Sequence, residues 1–316
     1  MKEKQTRRDF IKATSSKVFV FGLSSSTITK AYGAQEKSKI AVVRNERAID
    51  NRNNCNPTET RLMLDKALFE ITGQNNAKDA WTSLGVTRDD IVGIKVNCNG
   101  AAFPLYAHPE LVYSLCNSLS SVVTQNNIII YERYTSELTR AGFRANKSNS
   151  GVRCLGTDEG GGFHPREELT RIITDECTKL INFPSLKTFE GAFAGTLFLK
   201  NHIGSLQPSH MSRCHGNTIF CTEVNARPSI KNKTILAVCD GLRGTYQRST
   251  PWYWAGIIMS RDPVASEYTA LNVINEKRRQ EKLRELNIPS YVKNAETKFN
   301  LGTCDPSKID IRNIVM

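Results

Sequence analysis

Ile128-Ile129-Ile130-Tyr131 is an apolar run with no polar residue to break it. Successive side chains of a strand point to opposite faces, so a strand wetted on one side alternates apolar and polar residues. A strand without that alternation is covered on both faces, and this requirement constrains the fold more than any other feature of the chain. Asp90 to Asn97, Cys177 to Phe183 and Thr234 to Asp240 repeat the theme, with Lys39 to Val43 and Ala255 to Ser260 as two further strands. Helical patterns lie between them. Pro57-Thr58 opens a helix to about Gly73, with Leu64, Leu68 and Ile71 on one face. Ala77, Trp81 and Leu84 mark a second helical piece. His108-Pro109 opens a third helix, where Leu111, Leu115, Leu119 and Val122 form a stripe and Pro109 suits the first turn. Asp262 to about Leu286 is a long final helix whose charged run, Glu276 to Glu285, reads as a solvated face. Helix and strand in alternation predict an α/β fold, with a mostly parallel sheet flanked by helices. The stretch around 140–230 is less regular, with an Asn-, Ser- and Gly-rich loop at Asn146 to Gly162. It is expected to form a second lobe or large insertion.

The first 34 residues read differently. Thr6-Arg7-Arg8-Asp9-Phe10-Ile11-Lys12 has the paired arginines of the folded-protein export route. A short apolar stretch centred on Val18 to Leu23 follows, then small residues at Ala31, Gly33 and Ala34, where a cut is expected. The apolar run is well short of the ~20 residues of a membrane span, and Lys17 interrupts it. The sequence therefore predicts a twin-arginine signal over 1–34 and one α/β domain over 35–316, exported folded to the periplasm or another extracytoplasmic space. Without residues 1–34 the formal charge falls from +12 to +7, still basic. That balance favours a small anionic partner. No Lys/Arg run is interleaved with aromatics, so nucleic acid is not an expected partner. The export machinery is.

The chain has nine cysteines and no C-x-x-C, so ferredoxin-type iron–sulfur, structural zinc and c-type haem spacings are absent. Cys116 and Cys239 sit in apolar runs and are expected in the core. Most of the nine should be buried, with no four converging.

Ligands of open α/β sheets bind beyond the carboxyl ends of the strands. Lys95 and Asn97 stand at the end of the Asp90 strand, and Lys187 follows the Cys177 strand. Asp240 closes the Thr234 strand, and Asp262 follows the Ala255 strand. Each end carries a Lys or Arg nearby, as an anion site requires. Lys200-Asn201-His202 follows the apolar Thr196 to Leu199, with His210, Cys214 and His215 downstream. Imidazoles and a thiolate this close are candidate ligands for a divalent metal, so His202, His210, Cys214 and His215 form one candidate set. The three histidines lack H-x-x-x-H or H-E-x-x-H order, and acid–base work or hydrogen-bonded anchoring is the stronger expectation for a His here.

Five ordered segments resemble the domain of unknown function 362 family. They are Asp90-x-Val92-x-Ile94-Lys95-Val96-Asn97, His108-Pro109-Glu110-Leu111-Val112, Ile181 to Thr188, Thr196 to Gly204, and Ser260-Arg261-Asp262-Pro263-Val264-Ala265. The resemblance runs from about Asp90 to Thr269. Some members of that family carry a ferredoxin-like module, whose cysteines this chain lacks. Members often place a His after the Lys-Thr that matches Lys187-Thr188, where this chain has Phe189. The resemblance also matches a His-Gly pair to His215-Gly216.

The leading expectation is an exported enzyme acting on a small carboxylate or phosphate, its cofactor, if any, inserted before export. Lys95, Lys187 and Lys200 would hold negative charge, with Asn97, Asn201, Asp240 and Asp262 around them, and His202 or His215 would move protons. A non-catalytic periplasmic binding or accessory protein and a metal-binding redox partner are the rival expectations.

Overall fold

The six strands anticipated from the apolar runs all form. The computed structural model of the chain describes residues 36–99, 105–189, 193–248 and 250–316; the twin-arginine signal expected over 1–34 lies outside these. The first half holds β1 (Ser38–Arg44), α1 (Pro57–Thr72), α2 (Ala77–Ser83), β2 (Val92–Val96), α3 (Pro109–Leu119), β3 (Ile128–Glu132), α4 (Thr135–Arg140) and β4 (Arg153–Gly156). β5 (Lys179–Phe183) follows, then the two-residue strands β6 (Thr188–Phe189) and β7 (Ala194–Gly195). Five short helices come next: α5 (Phe198–Asn201), α6 (Pro208–Met211), α7 (Arg213–Gly216), α8 (Ile219–Asn225) and α9 (Pro228–Lys231). The chain closes with β8 (Thr234–Gly241), β9 (Gly244–Gln247), β10 (Thr250–Trp252), β11 (Gly256–Ser260), α10 (Pro263–Gln280), α11 (Ser290–Thr297) and β12 (Ile309–Val315).

Eight strands form one sheet in the order β12-β1-β11-β8-β5-β2-β3-β4. β8, β5, β2, β3 and β4 are mutually parallel, and β12 is parallel to β1. β11 runs antiparallel to both its neighbours, β1 and β8. This is the mostly parallel sheet that the apolar runs demand, and both faces are covered. Ile128 and Ile130 of β3 pack into a layer with α1, α2 and α3, whereas Ile129 and Tyr131 pack into the opposite layer with α8 and α11. α10 covers the same second face over β8 and β11. The insertion anticipated around 140–230 takes the form of the helical excursion α5–α9, which leaves the sheet after β5 and returns at β8. β4 and β5, within that range, belong to the main sheet.

Local chemistry sets the helix starts. Asn56 accepts hydrogen bonds from the N–H groups of Thr58 and Glu59 at the head of α1, and Gly73 ends that helix at φ 71°. β12 is absent from the expectations above. Its sequence, Ile-Asp-Ile-Arg-Asn-Ile-Val, has the imperfect alternation of a half-exposed edge strand and lacks the continuous apolar signal of the interior strands.

Candidate functional site

The alternation that buries β2 decides where its lysine goes. Val92, Ile94 and Val96 enter the α1–α3 layer, so Lys95 faces the other way. Lys95 stands in register with Tyr131 on β3 and Asn182 on β5, a row that crosses the sheet. α5 lies over this row and supplies Asn201. The Asn201 amide donates to the Lys95 carbonyl at 2.9 Å and to Asn182 Oδ1 at 2.8 Å. Asn182 in turn donates to the Phe198 carbonyl at 2.9 Å. These buried polar groups satisfy one another and fix α5 against the sheet.

Lys95 is 1% exposed and its Nζ lies 2.8 Å from Glu132 Oε1, at the end of β3. It also donates to the Val96 carbonyl at 2.7 Å. Glu132 accepts from the backbone N–H groups of Cys98 at 2.9 Å and Arg133 at 2.6 Å. Gly204 passes directly over this pair. A Cβ there would stand 2.8 Å from Glu132 Oε1 and 3.1 Å from Lys95 Nζ, so any larger residue would push against the ion pair. Lys187, beyond β5, donates to Asn97 Oδ1 at 2.6 Å and to the Asn99 carbonyl at 2.9 Å. Burial pushes its ammonium down to about 8, and the charges of Lys95 and Lys200 act in the same direction. Lys200 on α5 places its Nζ 4.3 Å from the centre of the Phe193 ring. Burial also lowers the Lys200 ammonium below its ordinary range.

These groups line one cleft of about 580 Å³ at the carboxyl ends of β2, β3 and β5. Lys95, Lys187, Lys200, Asn97, Asn201 and His215 all border it, as do Arg133 and Arg248. Among the described residues that line it, Glu132 is the one carboxylate. Glu132 and Arg133 were not among the anticipated site residues. The same rule finds them, because Glu132 ends the Ile128 strand and Arg133 comes directly after it.

Four anticipated residues lie elsewhere. His202 is fully buried and does not border the cleft. It follows Phe198 by four positions, as Ile203 follows Leu199, and so shares the buried face of α5. Its Nδ1 lies 3.3 Å from Ser205 Oγ, and burial together with the Lys95 charge lowers its pKa to about 3, leaving a neutral imidazole. Asp240 is fully buried beneath the loops and holds His108. Its Oδ2 accepts from the His108 backbone N–H at 2.7 Å and lies 2.8 Å from the ring Nδ1. Burial depresses the His108 imidazolium, Asp240 more than offsets this, and the net pKa is raised. Asp262 sits at the opposite edge of the sheet. β11 is antiparallel, and its last residue, Ser260, pairs with Ala237 near the start of β8. There Asp262 caps α10, accepting from the N–H groups of Val264 and Ala265, both at 2.9 Å. His210 is turned toward Glu168, 3.1 Å away.

The candidate metal set His202, His210, Cys214 and His215 therefore does not converge. Cys214 borders the cleft with its thiol against that of Cys221, and His215 meets the Phe193 ring edge-on at 6.3 Å. Among the described residues, no three His, Cys, Asp or Glu side chains gather as a metal site. Seven of the nine cysteines are buried, with Cys55 and Cys304 partly exposed.

The family model described as Domain of unknown function (DUF362) matches residues 92–272. The match begins on β2 and ends within α10, so it takes in every strand that borders the cleft. No curated protein and no solved structure matches the chain.

Proposed function

The chain belongs to the DUF362 family, and from its cleft we propose that it is an exported enzyme acting on a small anionic compound, a carboxylate or a phosphate. One observation carries this reading: five basic side chains, Lys95, Arg133, Lys187, Lys200 and Arg248, line a cleft whose one described carboxylate is Glu132. Glu132 is already matched by Lys95 and by two backbone donors, and Arg133 pairs with Glu137 beside the cleft, so the positive balance of the lining rests on Lys187, Lys200 and Arg248. The cleft walls are largely buried, and fixed positive groups in such a setting stabilise an anion more strongly than the same groups in water. His215 borders the cleft and is the residue that moves protons in this reading. The paired Arg7-Arg8 support action outside the cytoplasm.

Thermal unfolding with added phosphate, sulfate and small carboxylates tests the first part. A ligand that binds only the folded state raises its stability by RT ln(1 + [L]/Kd). At least one of these anions should raise the midpoint, and replacing Lys200 and Arg248 together by Gln should abolish the rise. A midpoint that no small anion moves would contradict the reading. Once a turned-over anion is found, His215→Asn should retain binding and lose about two to four orders of magnitude in rate. If bound anions are never turned over and His215→Asn changes nothing, the protein captures its ligand without processing it. Arg7→Lys with Arg8→Lys should strand the precursor in the cytoplasm, and wild-type levels of exported protein would refute the twin-arginine route.

A further inference from the structure

Lys95 and Lys187 border the same cleft in different electrostatic company. Lys95 is paired with a carboxylate at 2.8 Å. Lys187 donates to two neutral oxygens, Asn97 Oδ1 at 2.6 Å and the Asn99 carbonyl at 2.9 Å. A neutral amine has two N–H bonds and one lone pair. With both N–H bonds directed at these acceptors, the lone pair of Lys187 occupies the remaining tetrahedral direction. The backbone around the residue is fixed from three sides. Leu186 N–H donates to the Asp240 carbonyl at 2.7 Å, Thr188 N–H to Thr245 Oγ1 at 3.0 Å, and Thr196 N–H to the Lys187 carbonyl at 2.8 Å. Among the described residues no carboxylate is hydrogen-bonded to Lys187, and an amine so held beside other cations has the environment of a nucleophilic lysine.

We propose that Lys187 condenses with the carbonyl carbon of a 2-oxo acid to form an imine, with the carboxylate of that acid held by the other basic groups of the cleft. The inference rests on the anion-binding reading above and gives its substrate class. The Nζ lone pair attacks the carbonyl carbon, a C–N bond forms, and the C–O π pair moves to oxygen, which takes up a proton. The nitrogen gives up one proton, the hydroxyl is protonated and leaves as water, and a C=N bond forms. The net change consumes one amine, one carbonyl and one proton and yields one protonated imine and one water. No oxidant or reductant takes part. Burial, which pushes the Lys187 ammonium down to about 8, makes the free base available near neutral pH. At pH 7 such an amine holds on the order of a hundredfold more free base than an ordinary lysine at about 10.4.

The test uses the purified full chain with pyruvate as the probe and cyanoborohydride to reduce any imine, then intact mass and peptide mapping. One reduced adduct per chain is expected on Lys187, on the order of a hundredfold faster than on other lysines, and excess sulfate should suppress it. Lys187→Arg and Lys187→Met should form none while melting as cooperatively as the parent. Raising the pH from 7 to 8 should speed the labelling. If pyruvate or phosphate stabilises the protein yet no adduct maps to Lys187, the imine is overturned while anion binding stands. The imine is equally overturned if adducts spread over many lysines and ignore sulfate. If no anion, pyruvate included, stabilises the protein, the anion-binding reading fails and the imine with it.

Discussion

Replacing Glu132 by Gln should destabilise the fold by about 3–5 kcal/mol, the usual consequence of removing one partner of a buried ion pair. The structure shows why the upper part of the range applies. Glu132 is 2% exposed and Lys95 1%, so neither charge has water to fall back on. The two carboxylate oxygens together accept from the Lys95 ammonium and from the N–H groups of Cys98 and Arg133. A Gln at this place supplies one acceptor oxygen and directs an NH2 group at donors. For a unit of this size each kcal/mol shifts the melting midpoint by about 2–3 °C, so a loss in that upper part, about 4–5 kcal/mol, should be roughly 8–15 °C. Urea titration and calorimetry at pH 7 measure it. Adding Lys95→Met to Glu132→Gln should bring stability back above that of Glu132→Gln alone, because no uncompensated charge then remains. A Glu132→Gln protein within 1 kcal/mol of the parent, or a double variant that loses the sum of both single effects, would refute the argument.

Glu267 on α10 is fully buried, accepts from Leu199 N–H at 2.9 Å and Tyr291 Oη at 2.8 Å, and is pushed up to about 7 by burial. Between about pH 4.5 and 7 the folded chain keeps a proton that the unfolded chain has lost, so this group makes stability fall as pH rises, by roughly 3 kcal/mol in all. Glu267→Gln should flatten that slope and exceed the parent above pH 7; identical urea midpoints for the two proteins from pH 5 to 8 would refute the assignment. Asp262→Ala removes the α10 cap and leaves the N–H of Thr303 and the hydroxyl of Ser38 without their acceptor, at a cost of about 2–4 kcal/mol. Its anion-induced thermal shift should equal that of the parent, and a lost shift would mean that Asp262 belongs to the cleft after all.

Lys95, Asn97, Lys187 and Asn201 were legible as a cluster because two elementary rules sufficed. Apolar runs mark the interior strands, and the shared direction of parallel strands gathers their trailing loops at one edge of the sheet. Asp262 shows where the second rule stops. Nothing in Ala255 to Ser260 states that this strand runs backwards, and its direction puts Asp262 at the far edge. His202 was misplaced for a reason of helical phase. Its position relative to Phe198 turns it inward, but a four-residue helix is too short for periodicity to reveal. The contact of His108 with Asp240 joins residues 132 positions apart. Only the folded sheet brings α3 over the end of β8, so no local pattern announces it.

The placement of β1 carries a consequence for the order of events in biosynthesis. Its two neighbours in the sheet are β11 and β12, both drawn from residues after 255. β1 thus waits without either strand partner, its Ile40 and Val42 face open, while more than two hundred further residues are made. At about 5–20 residues per second that interval lasts on the order of ten seconds or more. Pairings between the two extremes of a chain are slow to form, and the sheet is complete only after synthesis has passed β12. A chaperone that shields the leading segment during this interval would protect an apolar strand as well as whatever precedes it, and truncation before residue 309 would leave β1 with an open edge.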